Sequence, residues 1–340
     1  MKAIVLHDKA EASQMKLEEF PLPKIYDNEV LVKLKAASVN HLDVWVRMGQ
    51  FPTKYPHIMG CEGAGEIADI GKNVKGLKKN DKVVVLPRIF CGKCEYCASG
   101  HDNLCKFGET IGVTLDGCYA EYVKAPARNV TLIGKLSYEE AASIPVAYGT
   151  AYRIIKTLAQ LKPKETILIT AAGSGVGTGA VQIAKHFGAT VIAASGNDEK
   201  LQKAKKLGAD FTINYSKNEN FESEIKELTK GTEVDVVIEQ VGGNIFTKSL
   251  GCLRRGGRIV VFGATAGAVV QFNIPSFYRN NLTMIGSSGA TKKEVMEIFE
   301  LVKKGKVKSV IDRTFALEDA SLAHKYMEER KNFGKIILNI

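Results

Sequence analysis

The stretch TILITAAGSGVGTGAVQIAKHFG, residues 166–188, joins a strand-like apolar run, a glycine-rich turn and a helical pattern. Glycines in such a turn let the backbone approach a pyrophosphate, whose charge is stabilised by the N-terminus of the following helix. The turn departs from a strict G-x-G-x-x-G, because Ala172 and Ser174 occupy its first two glycine positions. The strand before it and the helix after it still predict a dinucleotide site, formed by Gly173, Ser174, Gly175, Val176 and Gly177.

Further strand-like runs follow this turn. They are TVIAA, FTINY, DVVIE, RIVVFG and LTMIGS, with helical stretches such as EKLQKAKKLG between them, the latter closed by Gly208. Strands that alternate with helices form parallel sheets with helices on both faces. The sequence therefore predicts an α/β fold with a Rossmann, doubly wound parallel sheet.

The end of the second strand run indicates which dinucleotide is bound. An NAD site usually has an acidic residue about twenty residues beyond the glycine turn, where it holds the ribose 2′-hydroxyl. This chain has Ser195 there, and Asp198 falls in the next turn. A 2′-phosphate fits beside Ser195 and Lys200 without a carboxylate to repel it, although Lys200 is also typical of a solvated helix face. We therefore predict NADPH rather than NADH.

Four cysteines lie close together in FCGKCEYCASGHDNLC, residues 90–105. Thiolates at Cys-x2-Cys-x2-Cys-x7-Cys spacing suit tetrahedral Zn²⁺, with Zn–S distances of roughly 2.3 Å and no position left for substrate. Disulfides are the alternative, but a chain of 340 residues in a reducing cytosol does not need them. We predict one structural zinc per chain and a catalytic site elsewhere. The predicted zinc ligands are Cys91, Cys94, Cys97 and Cys105.

The composition argues against several classes of function. The chain is 45% hydrophobic and 25% charged, and it has no apolar run near the roughly 18 residues that a membrane span needs. Its formal net charge is +10, but the lysines are spread through the sequence rather than clustered with aromatic residues, as a nucleic-acid site requires. The start, MKAIVLHDKA, is typical of a first strand rather than a signal peptide. We expect a cytoplasmic protein that binds a small molecule, and neither nucleic acid nor membrane.

The whole chain resembles the medium-chain dehydrogenase/reductase superfamily. Strand-like runs and glycine turns fill its first part, and the shared motifs are the cysteine quartet, the AAGSGVG turn, GCEGAG at 60–65, DKV at 81–83 and DGCYAEY at 116–122. The resemblance implies a β-rich, chaperonin-10-like catalytic domain over residues 1–146 and 288–340. It implies a Rossmann domain over residues 147–287, with the active site in the cleft between the two.

Zinc alcohol dehydrogenases of this superfamily hold a catalytic zinc with Cys, His and Cys. The matching positions here are Asn40, Cys61 and Val146, and Leu42 stands where the family has a hydroxyl that relays the alcohol proton. Catalytic zinc needs three protein ligands and one open position. Only Cys61 could serve unchanged, so we predict that the catalytic zinc is lost.

The forms S-V-N-x-x-D and A-A-G-x-G-V-G look like the quinone oxidoreductase and enoyl-thioester reductase branch, although many of those relatives lack the cysteine quartet. Enzymes of that branch reduce quinones or activated C=C bonds with NADPH and no catalytic metal. Enoyl reductases often have a tyrosine proton donor where this chain has Phe51, which cannot donate. The resemblance therefore implies Asn40 as the orienting residue, His41 or Tyr55 as the proton donor, and Asp43 as a brace for the loop.

The resemblance further places Thr150 and Tyr215 at the cofactor and implies a homodimer or homotetramer, joined through the last Rossmann strand at residues 282–287. Two other functions stay open. One is a metal-dependent alcohol or aldehyde dehydrogenase with a rearranged site at Cys61, Glu62 and a nearby His or Asp. The other is an NADPH-binding protein without turnover.

Overall fold

The computed structural model describes residues 1–218 and 220–340. This described part divides into two compact units. The first comprises Met1–Gly149, Ala290–Lys303 and Ile311–Ile340, and the second comprises Thr150–Gly289 and Lys304–Val310. The chain thus leaves the first unit after Gly149 and returns at Ala290, whereas the expected boundaries fell at 146/147 and 287/288.

The first unit is mostly β-structure. A large sheet has the order β10-β6-β5-β3-β18-β17, with β9 also paired to β3, and a smaller one has the order β2-β1-β4. A short pair, β7-β8, flanks the cysteine loop. The strands are β1 (Lys2–Leu6), β2 (Lys16–Glu19), β3 (Glu29–Val39), β4 (His57–Ile58), β5 (Glu62–Ile70), β6 (Lys82–Val85), β7 (Arg88–Ile89), β8 (Glu109–Thr110), β9 (Tyr122–Pro126), β10 (Val130–Leu132), β17 (Ile311–Ala316) and β18 (Lys335–Asn339).

The last strand of the chain completes this large sheet. β18 runs antiparallel to β3, with Leu338 opposite Ala37, and both side chains are buried. Apolar side chains from these strands form one core with residues of the helix Ala320–Glu328, such as Ala323 and Met327. The helices of this unit are α1 (His41–Arg47), α2 (Glu95–Ala98), α3 (Tyr138–Ala142), α10 (Lys292–Lys303) and α11 (Ala320–Glu328).

The second unit contains a parallel sheet with the order β13-β12-β11-β14-β15-β16. This is the 3-2-1-4-5-6 order of a Rossmann sheet, so the predicted fold is confirmed. The strands are β11 (Thr166–Ile169), β12 (Thr190–Ser195), β13 (Phe211–Asn214), β14 (Val234–Glu239), β15 (Leu253–Val261) and β16 (Thr283–Gly286). The helices are α5 (Gly175–His186), α6 (Asp198–Lys206), α7 (Phe221–Leu228), α8 (Gly243–Gly251) and α9 (Ile274–Arg279).

A further helix, α4 (Gly149–Tyr152), begins at the point where the chain leaves the first unit. Two π-helical segments flank it, Ile144–Tyr148 before and Arg153–Leu158 after. Insertions of this kind in a helix often mark functional positions. In the described part of the chain, no helix is both long and apolar enough to cross a membrane.

Candidate active site and metal centre

The glycine-rich turn connects β11 to α5 at the carboxyl edge of the parallel sheet. Ser174 begins α5, and its side-chain oxygen accepts a 2.9 Å hydrogen bond from the backbone N–H of Gly177. A Cβ at Gly177 would lie 2.5 Å from the carbonyl oxygen of Ala171, so only glycine permits this close packing of turn and helix. Gly173 lies in the turn, and Gly175 and Val176 open the helix. Since the first N–H groups of a helix lack intrahelical acceptors, the turn fits a pyrophosphate.

The predicted 2′-phosphate corner lies where β12 and β13 end together. Ser195 is buried and pairs with Asn214, and its carbonyl oxygen accepts a 3.2 Å hydrogen bond from the backbone N–H of Tyr215. Lys200 lies in the first turn of α6, where its backbone N–H donates to the side chain of Asn197. The structure therefore brings Ser195, Tyr215 and Lys200 to the same end of the sheet. Thr150 is buried at the start of the same unit.

Asp198, the acidic residue nearest in sequence to this corner, already has partners. Its carboxylate accepts a 2.6 Å hydrogen bond from the Asn214 amide and a 2.5 Å hydrogen bond from the Lys217 ammonium. The bond from Lys217 is the main reason that the pKa of Asp198 lies below its usual value. The charge of this carboxylate is thus compensated by its neighbours, and the end of β12 itself carries the Ser195 hydroxyl.

Glu239 is a residue of this site that the sequence reading missed. It ends β14 fully buried, and its carboxylate accepts hydrogen bonds of 2.9 Å from the backbone N–H groups of Val241 and Gly242. The Thr170 hydroxyl, just before the glycine turn, donates to the same carboxylate over 3.1 Å. Glu239 therefore ties the ends of β11 and β14 together. The signal was the acidic residue that closes the apolar run DVVIE.

The four cysteines of the quartet turn their sulfur atoms towards one another. The Sγ atoms of Cys94 and Cys97 lie 3.5 Å apart, those of Cys94 and Cys105 3.8 Å, and those of Cys91 and Cys97 3.9 Å. A tetrahedral zinc with Zn–S bonds of about 2.3 Å requires sulfur separations of about 3.8 Å. Backbone N–H groups also point at the sulfurs, and those of Cys97 and Lys106 lower the pKa of Cys94 to about 6. The quartet fits zinc, and the predicted four-cysteine metal site is confirmed.

A second set of polar side chains, here named the buried centre, lies in the core of the first unit. At its middle, the Lys335 ammonium donates to the Asn40 side-chain oxygen over 2.6 Å and to Glu62 over 2.9 Å. The Asn40 amide nitrogen also donates to Glu62, over 2.9 Å, and the other Glu62 oxygen accepts the backbone N–H of Val146 over 2.7 Å. The amide of Asn40 is therefore held at both its oxygen and its nitrogen. The buried centre consists of Asn40, Asp43, Cys61, Glu62, Tyr119, His324 and Lys335.

Asp43 receives hydrogen bonds from three directions within the buried centre. Its carboxylate accepts the backbone N–H of Asn40 over 2.8 Å, the Tyr119 hydroxyl over 3.1 Å, and both the N–H and the thiol of Cys61 over 3.2 and 3.1 Å. Complete burial raises the pKa of Asp43 to about 6, although these donors oppose the effect. Asp43 thus joins the start of α1 to the start of β5.

His324 extends this chain of hydrogen bonds to Arg47. The guanidinium can only donate, so His324 Nδ1 accepts from Arg47 over 3.1 Å and the Nε2–H donates to Tyr119 over 3.3 Å. The Tyr119 hydroxyl in turn donates to Asp43. Burial, together with the charge of Arg47, lowers the pKa of His324 to about 3, so this ring is neutral at neutral pH. Along this series of hydrogen bonds, Arg47 donates to His324, His324 donates to Tyr119, and Tyr119 donates to Asp43.

The positions that match the family's catalytic zinc ligands do not present a set of zinc donors. Cys61 lies in an apolar cluster with Val46 and Val113, against which Leu42 and Val146 pack. Burial, and then the charge of Asp43, raises the pKa of the Cys61 thiol well above its usual range. Zinc binds the thiolate, and Val146 offers only hydrocarbon. The side chains at these positions therefore do not fit a catalytic zinc.

The two predicted proton donors lie in different surroundings. His41 opens α1 directly after Asn40, and its ring meets that of Trp45 edge to face, with centroids 5.4 Å apart. Burial, and then the charge of Arg330, lowers the pKa of His41. Tyr55 packs against the core of the first unit, and burial raises the pKa of its hydroxyl.

Sequence reasoning missed Tyr119, His324 and Lys335, although it selected Asn40 and Asp43 beside them. Tyr119 lies within the DGCYAEY motif, which was noted for the resemblance and not for chemistry. His324 is separated from Tyr119 by 205 positions, and Lys335 from Asn40 by 295. No local pattern could have joined them.

Comparison with known proteins covers both units. The profile of the family described as zinc-binding dehydrogenase matches residues 175–304, and that of the alcohol dehydrogenase GroES-like domain matches residues 26–135. An NAD-dependent alcohol dehydrogenase of Sulfurisphaera tokodaii is 36% identical over 95% of this chain and 96% of its own length. An acryloyl-coenzyme A reductase of the same organism is 33% identical over 99% of each chain.

A solved structure shows the same likeness in three dimensions. The crystal structure of an NAD-dependent alcohol dehydrogenase superposes with a TM-score of 0.97 at 38% identity, and the superposition covers 100% of both chains. The similarity therefore extends over both units and includes alcohol dehydrogenases and an acryloyl-coenzyme A reductase.

Proposed function

The chain belongs to the medium-chain dehydrogenase/reductase superfamily, and on that premise we propose that this oxidoreductase uses NADPH to reduce an activated C=C bond or a quinone without a catalytic zinc. The substrate class comprises enoyl thioesters, enones and quinones. All of these have a carbonyl conjugated to the bond that accepts hydride.

The observation that carries this proposal is that the side chains at the three positions matching the family's catalytic zinc ligands are not available to bind zinc. The Asn40 amide is occupied by Lys335 and Glu62, the Cys61 thiol faces Asp43, and Val146 is apolar. An alcohol substrate needs a Lewis acid to make its oxygen acidic. A conjugated carbonyl needs less help, because its own oxygen accepts charge as the hydride arrives.

The corner at the end of β12 supports NADPH as the cofactor. The cofactor supplies the hydride when bound. Ser195 has no carboxylate to repel a 2′-phosphate, and Lys200 and Tyr215 lie at the same end of the sheet. The negative charge of Asp198 is compensated by the ammonium of Lys217. The glycine turn and the N-terminus of α5 hold the pyrophosphate.

Among the chain's own groups, Asn40 orients the reacting carbonyl or the nicotinamide through the loop that it anchors. His41 and Tyr55 are the proposed proton donors. The raised pKa of Tyr55 keeps its hydroxyl protonated at pH 7. The lowered pKa of His41 leaves a neutral ring that donates a hydrogen bond and transfers a proton only after it has been protonated to imidazolium. A loss of kcat with unchanged KM in either His41→Gln or Tyr55→Phe would identify the donor.

The test is turnover with a quinone, an enoyl-CoA and a primary alcohol, each with NADPH and NADH and with and without added zinc. We expect NADPH-dependent reduction of the first two and little oxidation of the alcohol. Ser195→Asp should weaken NADPH binding by about 1–3 kcal/mol through repulsion of the 2′-phosphate. Robust alcohol oxidation that added zinc stimulates would overturn the proposal.

A zinc-dependent alcohol dehydrogenase is the second candidate, because the 36%-identical relative and the superposed structure are both named NAD-dependent alcohol dehydrogenases. This function requires a second zinc in a rearranged site near Cys61. Metal analysis separates the two candidates, since one zinc per chain fits the first and two fit the second.

We also propose a cytoplasmic homodimer or homotetramer that joins through β16. This strand lies at the edge of the parallel sheet, and Met284 within it is exposed. An apolar edge strand without cover invites aggregation, and pairing with a second copy removes that edge. Light scattering that gives a monomer at micromolar concentration would contradict this arrangement.

A further inference from the structure

The loop that carries the cysteine quartet is tied to the N-terminus of α10. The backbone N–H of Lys292, the first residue of α10, donates to both carboxylate oxygens of Asp102, over 3.0 and 3.3 Å. Asp102 lies in the turn that ends at Cys105, whose own N–H donates to the Asp102 carbonyl over 3.2 Å. One short turn therefore holds both a metal ligand and the carboxylate that contacts α10.

A second connection joins the same two elements. The Lys292 ammonium donates to the carbonyl oxygen of Arg128 over 2.6 Å. The Arg128 guanidinium donates to the carbonyl oxygen of Phe90, the residue before Cys91, and lies over the Phe90 ring, 5.0 Å from its centroid. The start and the end of the cysteine loop are thus both connected to Lys292.

α10 also contacts the segment through which the chain leaves the first unit. A Cβ on Gly149, the last residue before the division, would lie 3.0 Å from a side-chain carbon of Val295 and 3.4 Å from the Cβ of Ala290. Gly149 and Ala290 are the residues at which the chain leaves and re-enters the first unit. The exit and the return therefore lie side by side, packed on the first turn of α10.

We propose that the cysteine loop, when it holds zinc, is a clamp on this double crossover, and that Asp102 is the positioning residue that transmits the clamp to α10. Zinc fixes Cys105 and with it the turn of Asp102. The fixed carboxylate then holds the N-terminal N–H of α10, where a negative charge is favoured by the helix dipole. The first turn of α10 in turn limits the movement of Gly149 and Ala290.

The connection also reaches the buried centre. The π-helical turn Ile144–Tyr148 directly precedes Gly149, and the backbone N–H of Val146 within it donates to Glu62. A loosened crossover would therefore disturb Glu62, and through it Asn40, without any change in the zinc ligands. This assigns a role to a metal site that has no open position for substrate.

Hydrogen–deuterium exchange on the full-length, zinc-loaded protein tests the clamp. In Asp102→Ala, we expect the amides of residues 144–149 and 290–296 to exchange about tenfold faster, because local opening governs their exchange. Zinc content should remain one per chain, and exchange in β1 and β2 should not change. Removal of zinc from the wild type with a chelator should accelerate exchange in the same two segments.

Matched variants make the result specific. Glu95 is an acidic residue on the same loop that pairs with Lys106 at the surface, so Glu95→Ala should leave exchange at both segments unchanged. Asp102→Asn keeps one acceptor for the Lys292 N–H and should give an intermediate rate. Unchanged exchange at 144–149 and 290–296 in zinc-loaded Asp102→Ala would overturn the proposal. Equal acceleration over the whole first unit would also overturn it, since that result indicates general destabilisation. Neither the exchange rates nor the zinc content depends on the substrate or on the choice of cofactor.

Discussion

The cysteine loop and the buried centre both contain side chains that bind metals in other proteins, yet they are organised in opposite ways. In the loop, backbone N–H groups point at sulfurs that face one another, and the pKa of Cys94 falls to about 6. In the buried centre, the Cys61 thiol faces a carboxylate, and its pKa rises well above the usual range. A metal site thus depends on donors that converge and can lose their protons, and not on residue types alone.

Cys94→Ser should have the largest effect, because it removes one of four zinc ligands. We expect zinc content to fall well below one per chain and the free energy of unfolding to fall by about 5 kcal/mol. Elemental analysis and urea denaturation measure the two quantities. The matched variant Cys61→Ser should keep its zinc. Unchanged zinc content in Cys94→Ser, or zinc loss in Cys61→Ser, would remove the contrast between the two regions.

Lys335→Met should have the next largest effect. It leaves Glu62 as a buried carboxylate without its cation, which costs about 3–5 kcal/mol of stability when one partner of a buried pair is lost. Lys331→Met is the control, because Lys331 pairs with Glu329 at the surface and should contribute less than about 1 kcal/mol. Equal stability of the two variants in urea denaturation would show that the charges of the buried centre do not depend on one another.

His324→Gln should give a smaller, pH-dependent effect. The pKa of His324 lies near 3 in the folded protein and near 6.5 in a free histidine, so the unfolded wild type takes up a proton first as the pH falls. The wild type therefore loses stability from this group between pH 6.5 and 4, whereas glutamine cannot titrate. We expect the stability advantage of the wild type over the variant to shrink by about 3 kcal/mol over this range.

The Asp43 carboxyl titrates in the opposite sense over the same range. Its folded pKa is raised to about 6, so its contribution to stability decreases as the pH rises from about 4 to about 6. Both proteins contain Asp43, so its contribution largely cancels in the comparison. His7→Gln serves as the control because His7 is an exposed residue. A difference between wild type and His324→Gln that stays constant with pH would contradict the assigned neutral ring.

The parts that sequence could predict are those encoded locally. The glycine turn with its flanking strand and helix lies within 23 residues, and the cysteine quartet lies within 15, so spacing alone carries their chemistry. The buried centre depends on pairing between β3 and β18, which brings Lys335 beside Asn40. The family resemblance selected Asn40, but no sequence pattern shows that Lys335 occupies its amide oxygen.

The neighbouring positions of Gly149 and Ala290 also bear on how such a chain is assembled. Residues 150–289 begin and end at almost the same point, as in an inserted domain whose two ends are adjacent. A segment whose ends already meet costs its host little extra chain entropy, and it can fold before the host closes around its ends. Replacement of this segment by another dinucleotide-binding domain would therefore need two adjacent fusion points. Residues 304–310, which also belong to the second unit, would have to be redesigned to pack against the new domain.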